Sequence, residues 1–182
     1  SGLTSPFSFT GGSYPGTGGN CGVTINNGAS CTIEVNFAPI AAAVATDTID
    51  LNYNNGVTGV TSSRDVTGTG ITPAVLTLSE SDPYDYSLIA NGGVLSHTFT
   101  VTNSGASSAS AISETGLALP FRFLGGGFPG TAGTCGLTLA AAGTCTLVIE
   151  FAPTGIAAFS DTINLAYNDG AALQAATRDI QG

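Results

Sequence analysis

Along residues 145–152 the chain alternates, with Cys145, Leu147, Ile149 and Phe151 on one parity and Thr146, Val148, Glu150 and Ala152 on the other. A two-residue period sends the two sets to opposite faces of an extended backbone, so this segment reads as a half-buried β-strand. The pattern recurs as Cys31, Ile33, Val35 and Phe37 against Thr32, Glu34, Asn36 and Ala38. Ile163, Leu165 and Tyr167 mark another strand, matched by Ile49, Leu51 and Tyr53. Each runs into a turn signal, Asn168-Asp169-Gly170 or Asn54-Asn55-Gly56, which predicts a hairpin. Leu76 and Leu78 suggest an earlier strand; Leu95, His97, Phe99 and Val101 suggest the next, ending at Asn103-Ser104-Gly105. No stretch carries the apolar period and caps of an amphipathic helix. Roughly seven short strands separated by Gly, Pro, Asn and Ser turns in about a hundred residues predict an all-β fold of the immunoglobulin-like sandwich type, with a closed barrel as the lesser alternative.

The strands recur because the chain is duplicated. Shifting it by 114 positions aligns residues 2–68 with 116–182 without a gap, and 30 of the 67 pairs are identical. The landmarks include Pro6/Pro120, Phe7/Phe121, Cys21/Cys135, Cys31/Cys145, Phe37-Ala38-Pro39 with Phe151-Ala152-Pro153, Tyr53/Tyr167 and Arg64-Asp65 with Arg178-Asp179. A period of this length equals a domain rather than a solenoid turn, so each unit is expected to fold around its own core. Residues 71–182 form one complete unit, and residues 1–70 are a partial unit with no counterpart of 69–115. A sheet without those strands exposes apolar edges. Two ways of filling it follow: the natural chain extends upstream, which is the simpler, or another subunit supplies the strands. The join Thr67-Gly68-Thr69-Gly70-Ile71-Thr72-Pro73 is too short and too rich in Thr and Pro for a long flexible tether, so consecutive units are expected end to end.

Composition narrows the function classes. The 42% hydrophobic content suffices for a core and is unlike that of a disordered chain. Three Arg, no Lys and twelve acidic residues give a net charge of −9, which lacks the cationic footprint for nucleic acid or anionic membrane surfaces. No apolar run approaches the roughly 20 residues of a membrane helix, so direct membrane insertion is not expected. The absence of Lys excludes the Lys–Asn isopeptide bonds that lock some surface fibres, since those need an amine.

Both cysteine pairs have the same spacing and flank a predicted hairpin, with Asn26-Asn27-Gly28 in one copy and residues 140–143 in the other. Cross-strand neighbours have Cα separations of roughly 4.5–5.5 Å, within disulfide range, so Cys21–Cys31 and Cys135–Cys145 are expected to be bridged. Closing so short a loop contributes roughly 2–3 kcal/mol and implies an oxidising compartment. Zinc is the alternative use, but the spacing is not a knuckle and no partner His or second Cys lies nearby.

From Gly136 onward, GLTLAAAGTCTLVIEFAPTGIAAFSDTINLAYNDG followed by TRDIQG resembles the Hydin-like (ASH-type) immunoglobulin-like domains and the bacterial choice-of-anchor-D surface repeats. Phe151-Ala152-Pro153 and Gly182, repeated as Phe37-Ala38-Pro39 and Gly68, carry the likeness, together with VTNSG at 101–105. The resemblance implies a structural module of long, secreted or surface-attached bacterial proteins, often in tandem. Its motifs are structural and not catalytic.

Among residues with chemistry, His97 is the single histidine, and its parity with Leu95, Phe99 and Val101 places it at the edge of a core with one hydrogen-bond partner. No nucleophile elbow, zinc-protease or phosphate-loop motif is present, so no catalytic residue, metal site or cofactor is assigned. Glu80, Asp82, Tyr84, Asp85 and Tyr86 cluster in SESDPYDYS, a candidate ligand or cation loop whose simpler reading is a solvated acidic turn. With the loop from Gly125 to Thr131 it could contact a sugar or a neighbouring module. Asp161 with Arg178, and Asp47 with Arg64, are expected to form structural ion pairs across the closing hairpin. Arg122 faces Ser8 in the alignment and is expected at the surface. The sequence thus points to a structural repeat of a secreted or cell-surface bacterial fibre or adhesin, a rigid disulfide-braced spacer and not an enzyme. Its expected partners are neighbouring repeats or subunits of the same protein. The alternatives are a filament subunit completed by a neighbour's strands and a module binding surface glycans or proteins.

Overall fold

The computed structural model describes residues 2–182, and it divides into a first unit ending at Ile71 and a second running from Thr72 to Gly182. The first unit holds β1 (Phe7–Phe9), β2 (Val35–Phe37), β3 (Val44–Asn54) and β4 (Gly59–Thr69). The second holds β5 (Leu76–Leu78), β6 (Tyr84–Asp85), β7 (Leu95–Asn103), β8 (Ser110–Glu114), β9 (Phe121–Phe123), β10 (Thr144–Phe151), β11 (Ser160–Asn168) and β12 (Leu173–Gln181). No α-helix occurs among the described residues. The protein is an all-β chain of tandem immunoglobulin-like sandwiches, the first of them partial.

In the second unit one sheet has the order β5-β7-β10-β9 and the other β6-β12-β11-β8. All pairings are antiparallel except that of β6 with β12. The alternation in β10 does what its period requires: Cys145, Leu147, Ile149 and Phe151 point into the core, opposite Val101, Phe99, His97 and Leu95 of β7. From the second sheet, Ile112, Ile163, Leu165, Tyr167, Ala176 and Ile180 meet them. Phe151 stacks on Phe121 with ring centroids 4.8 Å apart, and both are fully buried. Each large apolar side chain so buried contributes about 1.5–3 kcal/mol of transfer free energy.

The half-buried expectation for β10 holds for one face and needs correction for the other. Val148 and Glu150 are buried as well. The loop after β9 runs alongside Val148, with the Leu124 amide donating to its carbonyl and its amide donating to Pro129. Gly130, at φ +90°, lies so close that a Cβ would sit 2.2 Å from the Val148 carbonyl oxygen. The matched Gly16 approaches Glu34 in the same way. Glu150 lies directly opposite Arg122 of β9 and accepts a hydrogen bond from its Nε, so Arg122 covers a buried carboxylate while half its side chain stays in solvent.

The first unit keeps the same local pairings. Phe7↔Phe37 and Phe9↔Val35 reproduce the register of Phe121↔Phe151 and Phe123↔Ile149. The hairpin β3–β4 reproduces β11–β12, with Ile49 opposite Arg64 as Ile163 is opposite Arg178. It nonetheless forms two separate two-stranded sheets. β2 is three residues long where β10 is eight, because residues 30–34 have no equivalent of β7 to pair with.

The Phe-Ala-Pro and terminal Gly elements have a packing reason. A Cβ on Gly182 would come within 2.6 Å of the Phe151 ring, and one on Gly68 within 2.7 Å of the Phe37 ring. Each Phe lies flat against a backbone that only glycine leaves open.

Candidate functional site

The acidic loop between β5 and β7 gathers most of the chemistry-bearing side chains of the second unit, and the fold turns them toward the protein. Tyr86 is buried, and its hydroxyl donates to the Ile149 carbonyl at 2.9 Å. Burial raises its phenol well above the usual range, and the neighbouring Tyr84 adds to the shift. Tyr84 stacks on His97 at 4.1 Å between ring centroids and meets Phe99 edge-on. Its hydroxyl lies 2.9 Å from His97 Nδ1. Partial burial raises the Tyr84 phenol too, aided by the carboxylates of Glu80 and Asp85. On the other side of the imidazole, Nε2 lies 3.4 Å from Glu80 Oε1 without hydrogen-bond geometry. His97 thus sits at the core edge with Tyr84 as its hydrogen-bond partner.

Asp82 and Asp85 stitch the loop to β12. Asp82 Oδ1 accepts the Asp179 amide, and Asp85 Oδ2 accepts Gln181 Nε2. Arg178 completes the seam: its Nη2 donates to the Leu78 carbonyl at 2.8 Å and its Nη1 lies 3.5 Å from Asp82 Oδ2. Among the described residues no cluster of three or more His, Cys, Asp or Glu side chains is arranged to hold a metal ion.

The expected Asp–Arg pairs therefore need correcting. The register puts Arg178 opposite Ile163, on the inward face, so its guanidinium reaches across to the other sheet instead of to Asp161. Asp161 holds the Ala118 and Thr162 amides, and Asp47 holds the amides of Thr4 and Thr48. These amides, Thr4 first, hold the Asp47 carboxyl below the ordinary range. Arg64 is exposed and makes no ion pair with Asp47.

Both disulfides are formed, each with Cα atoms 4.8 Å apart. The first cysteine of each pair lies in a loop and not in an assigned strand. Its amide still bonds across, Cys21 to the Thr32 carbonyl and Cys135 to that of Thr146, which supplies the expected proximity.

A residue that sequence reasoning passed over as a turn marker is Asn103, which is fully buried. Its Nδ2 donates to the carbonyls of Ser107, Leu139 and Ala140, and its Oδ1 accepts the amides of Val75 and Gly105. One carboxamide thus satisfies five backbone groups that converge at one end of the sandwich. An Asn between a strand and Ser-Gly was the available signal.

No family model matches the chain, and no curated protein matches it. Solved structures do, at low identity. The VesB protease of Vibrio cholerae aligns with a TM-score of 0.48 and 18% identity over 60% of this chain and 31% of that one. The ASH/PapD-like domain 7 of human CEP192 aligns at 0.42 and 13%, over 62% and 84% of the two chains. A protein of unknown function from Porphyromonas gingivalis W83 aligns at 0.43 and 14%, over 81% and 70%. The chain thus spans about a third of the VesB structure's length. These likenesses concern the fold.

Proposed function

We propose that this chain is a structural module of a secreted or cell-surface array, of the Hydin-like or choice-of-anchor-D kind, in which disulfide-braced sandwiches act as rigid spacers. The observation that carries the reading is the use made of the acidic loop. His97, Tyr84, Tyr86, Asp82 and Arg178, the groups best suited to chemistry, hold one sheet of the sandwich to the other. Matched disulfides at the same place in both units are a second support, since such bonds persist in oxidising surroundings. Under load each bridge shields the short segment it closes. Single-molecule stretching in reductant should lengthen each unfolded unit by roughly 30 Å, from a ten-residue separation at about 3.4 Å per residue. Peptide mapping of the protein from its native source under non-reducing conditions tests the compartment. Finding all four cysteines as free thiols there would overturn the reading.

A further inference from the structure

The first unit exposes the surface that the second covers with residues 69–115. We propose that this surface is a docking site for a segment of the β5–β8 type, carried by the same polypeptide directly ahead of Gly2.

The second unit is the template. There β7 occupies the edge of β10 away from β9, β8 the outer edge of β11, and β6 the outer edge of β12. The equivalent edges of β2, β3 and β4 are unpaired. The inward faces agree: Ile149, Phe151, Ile163 and Leu165 are buried to 1% exposure or less, whereas Val35, Phe37, Ile49 and Leu51 are only half-buried. Ile25 is 57% exposed where its counterpart Leu139 is 7% exposed.

Two polar side chains make the surface specific to its occupant. Tyr167 accepts the Leu76 amide on its hydroxyl, and Arg178 donates to the Leu78 carbonyl beside the Asp82 carboxylate. The first unit carries the same residues, Tyr53 and Arg64, both exposed. The Val35 carbonyl stands where that of Ile149 accepts the Tyr86 hydroxyl. The occupant must therefore present an amide, a carbonyl, a carboxylate and a phenol at the spacing of residues 76, 78, 82 and 86. A second copy of this chain is a poor donor, because its own segment is locked into a core by Phe99, Val101 and Asn103, all buried. A segment in line needs no linker, because Thr115 runs directly into Gly116, the counterpart of Gly2.

The test is the full chain with a second copy of residues 69–115 joined to Gly2. Nitration of Tyr53 by tetranitromethane should be lost, and amide exchange in β3 and β4 should slow by about two orders of magnitude toward the rates of β11 and β12. Unchanged nitration and exchange in a folded fusion would overturn the proposal. Titrating the unfused chain with the free 69–115 segment gives an arm independent of the fusion's folding: saturable protection of Tyr53 is expected, and none at any ratio refutes it. Sedimentation supplies the remaining alternative. An unfused chain that self-associates and protects Tyr53 by doing so identifies the occupant as a second copy and sinks the proposal.

Discussion

The two units share a motif, a register and a disulfide, yet only one has a closed core. Phe7 and Cys21 are buried in the first unit much as Phe121 and Cys135 are in the second, because their contacts are local to β1, β2 and the bridged loop. Tyr53, by contrast, is 53% exposed while Tyr167 is 5% exposed, because what covers the second ring comes from β5. Pairing between neighbours in sequence thus survives the loss of strands; burial between sheets does not.

Substitutions at matched positions should break the comparison open. The largest effect is expected at the Phe of the Phe-Ala-Pro element. Phe151→Ala should cost the second unit about 4 kcal/mol, and Phe37→Ala should cost the first under about 2, read as separate transitions in urea. Equal costs would mean that the first unit has a core after all. Asn103→Ala strands five backbone groups and should destabilise the second unit by about 3 kcal/mol, leaving the first unit's transition in place. A smaller difference is expected at the tyrosines. Tyr167→Phe, which removes the acceptor for the Leu76 amide, should cost about 1 kcal/mol, whereas Tyr53→Phe should be silent by the same measurement.

The pH response is the smallest and the most discriminating effect. Asp169 is held below the ordinary carboxylate range by the amides of Ala172 and Ala171, as Asp47 is by those of Thr4 and Thr48. A carboxyl lowered on folding stabilises above its unfolded value of 3.8, and that contribution disappears as pH falls through the folded value. Glu114 acts in the opposite sense, because burial raises it. Its contribution is present below 4.5 and is lost as pH rises through the folded value. Acidification should therefore first relieve the second unit and then, below 3.8, weaken both. Asp169→Asn, which matches Asn55 of the first unit, should flatten the lower limb of the melting temperature against pH for the second unit only.

Strand periodicity, the duplication and the disulfide pairs were legible because each rests on short-range geometry: a two-residue pleat, a fixed offset, a bridged turn. β6, β8 and β9 were not legible, being two to five residues long with no sustained alternation. Without β9 as a strand, the Arg122–Glu150 pair had no register to reveal it. The Asp161–Arg178 expectation failed for a related reason. Both residues lie in the paired closing strands, but the register sets Arg178 opposite Ile163, and its partners come from residues 78 and 82 in the other direction.

By itself the sequence determined that this chain pairs into β-strands, repeats with a fixed period and closes two small loops with sulfur, since those outcomes depend on neighbours along the chain. Only the tertiary structure decided that Asn103 anchors one end of the sandwich, that the acidic loop faces inward, and that identical residues are buried in one unit and bare in the other. Burial is set by what arrives from distant segments, and no local pattern of residues records whether those segments are present.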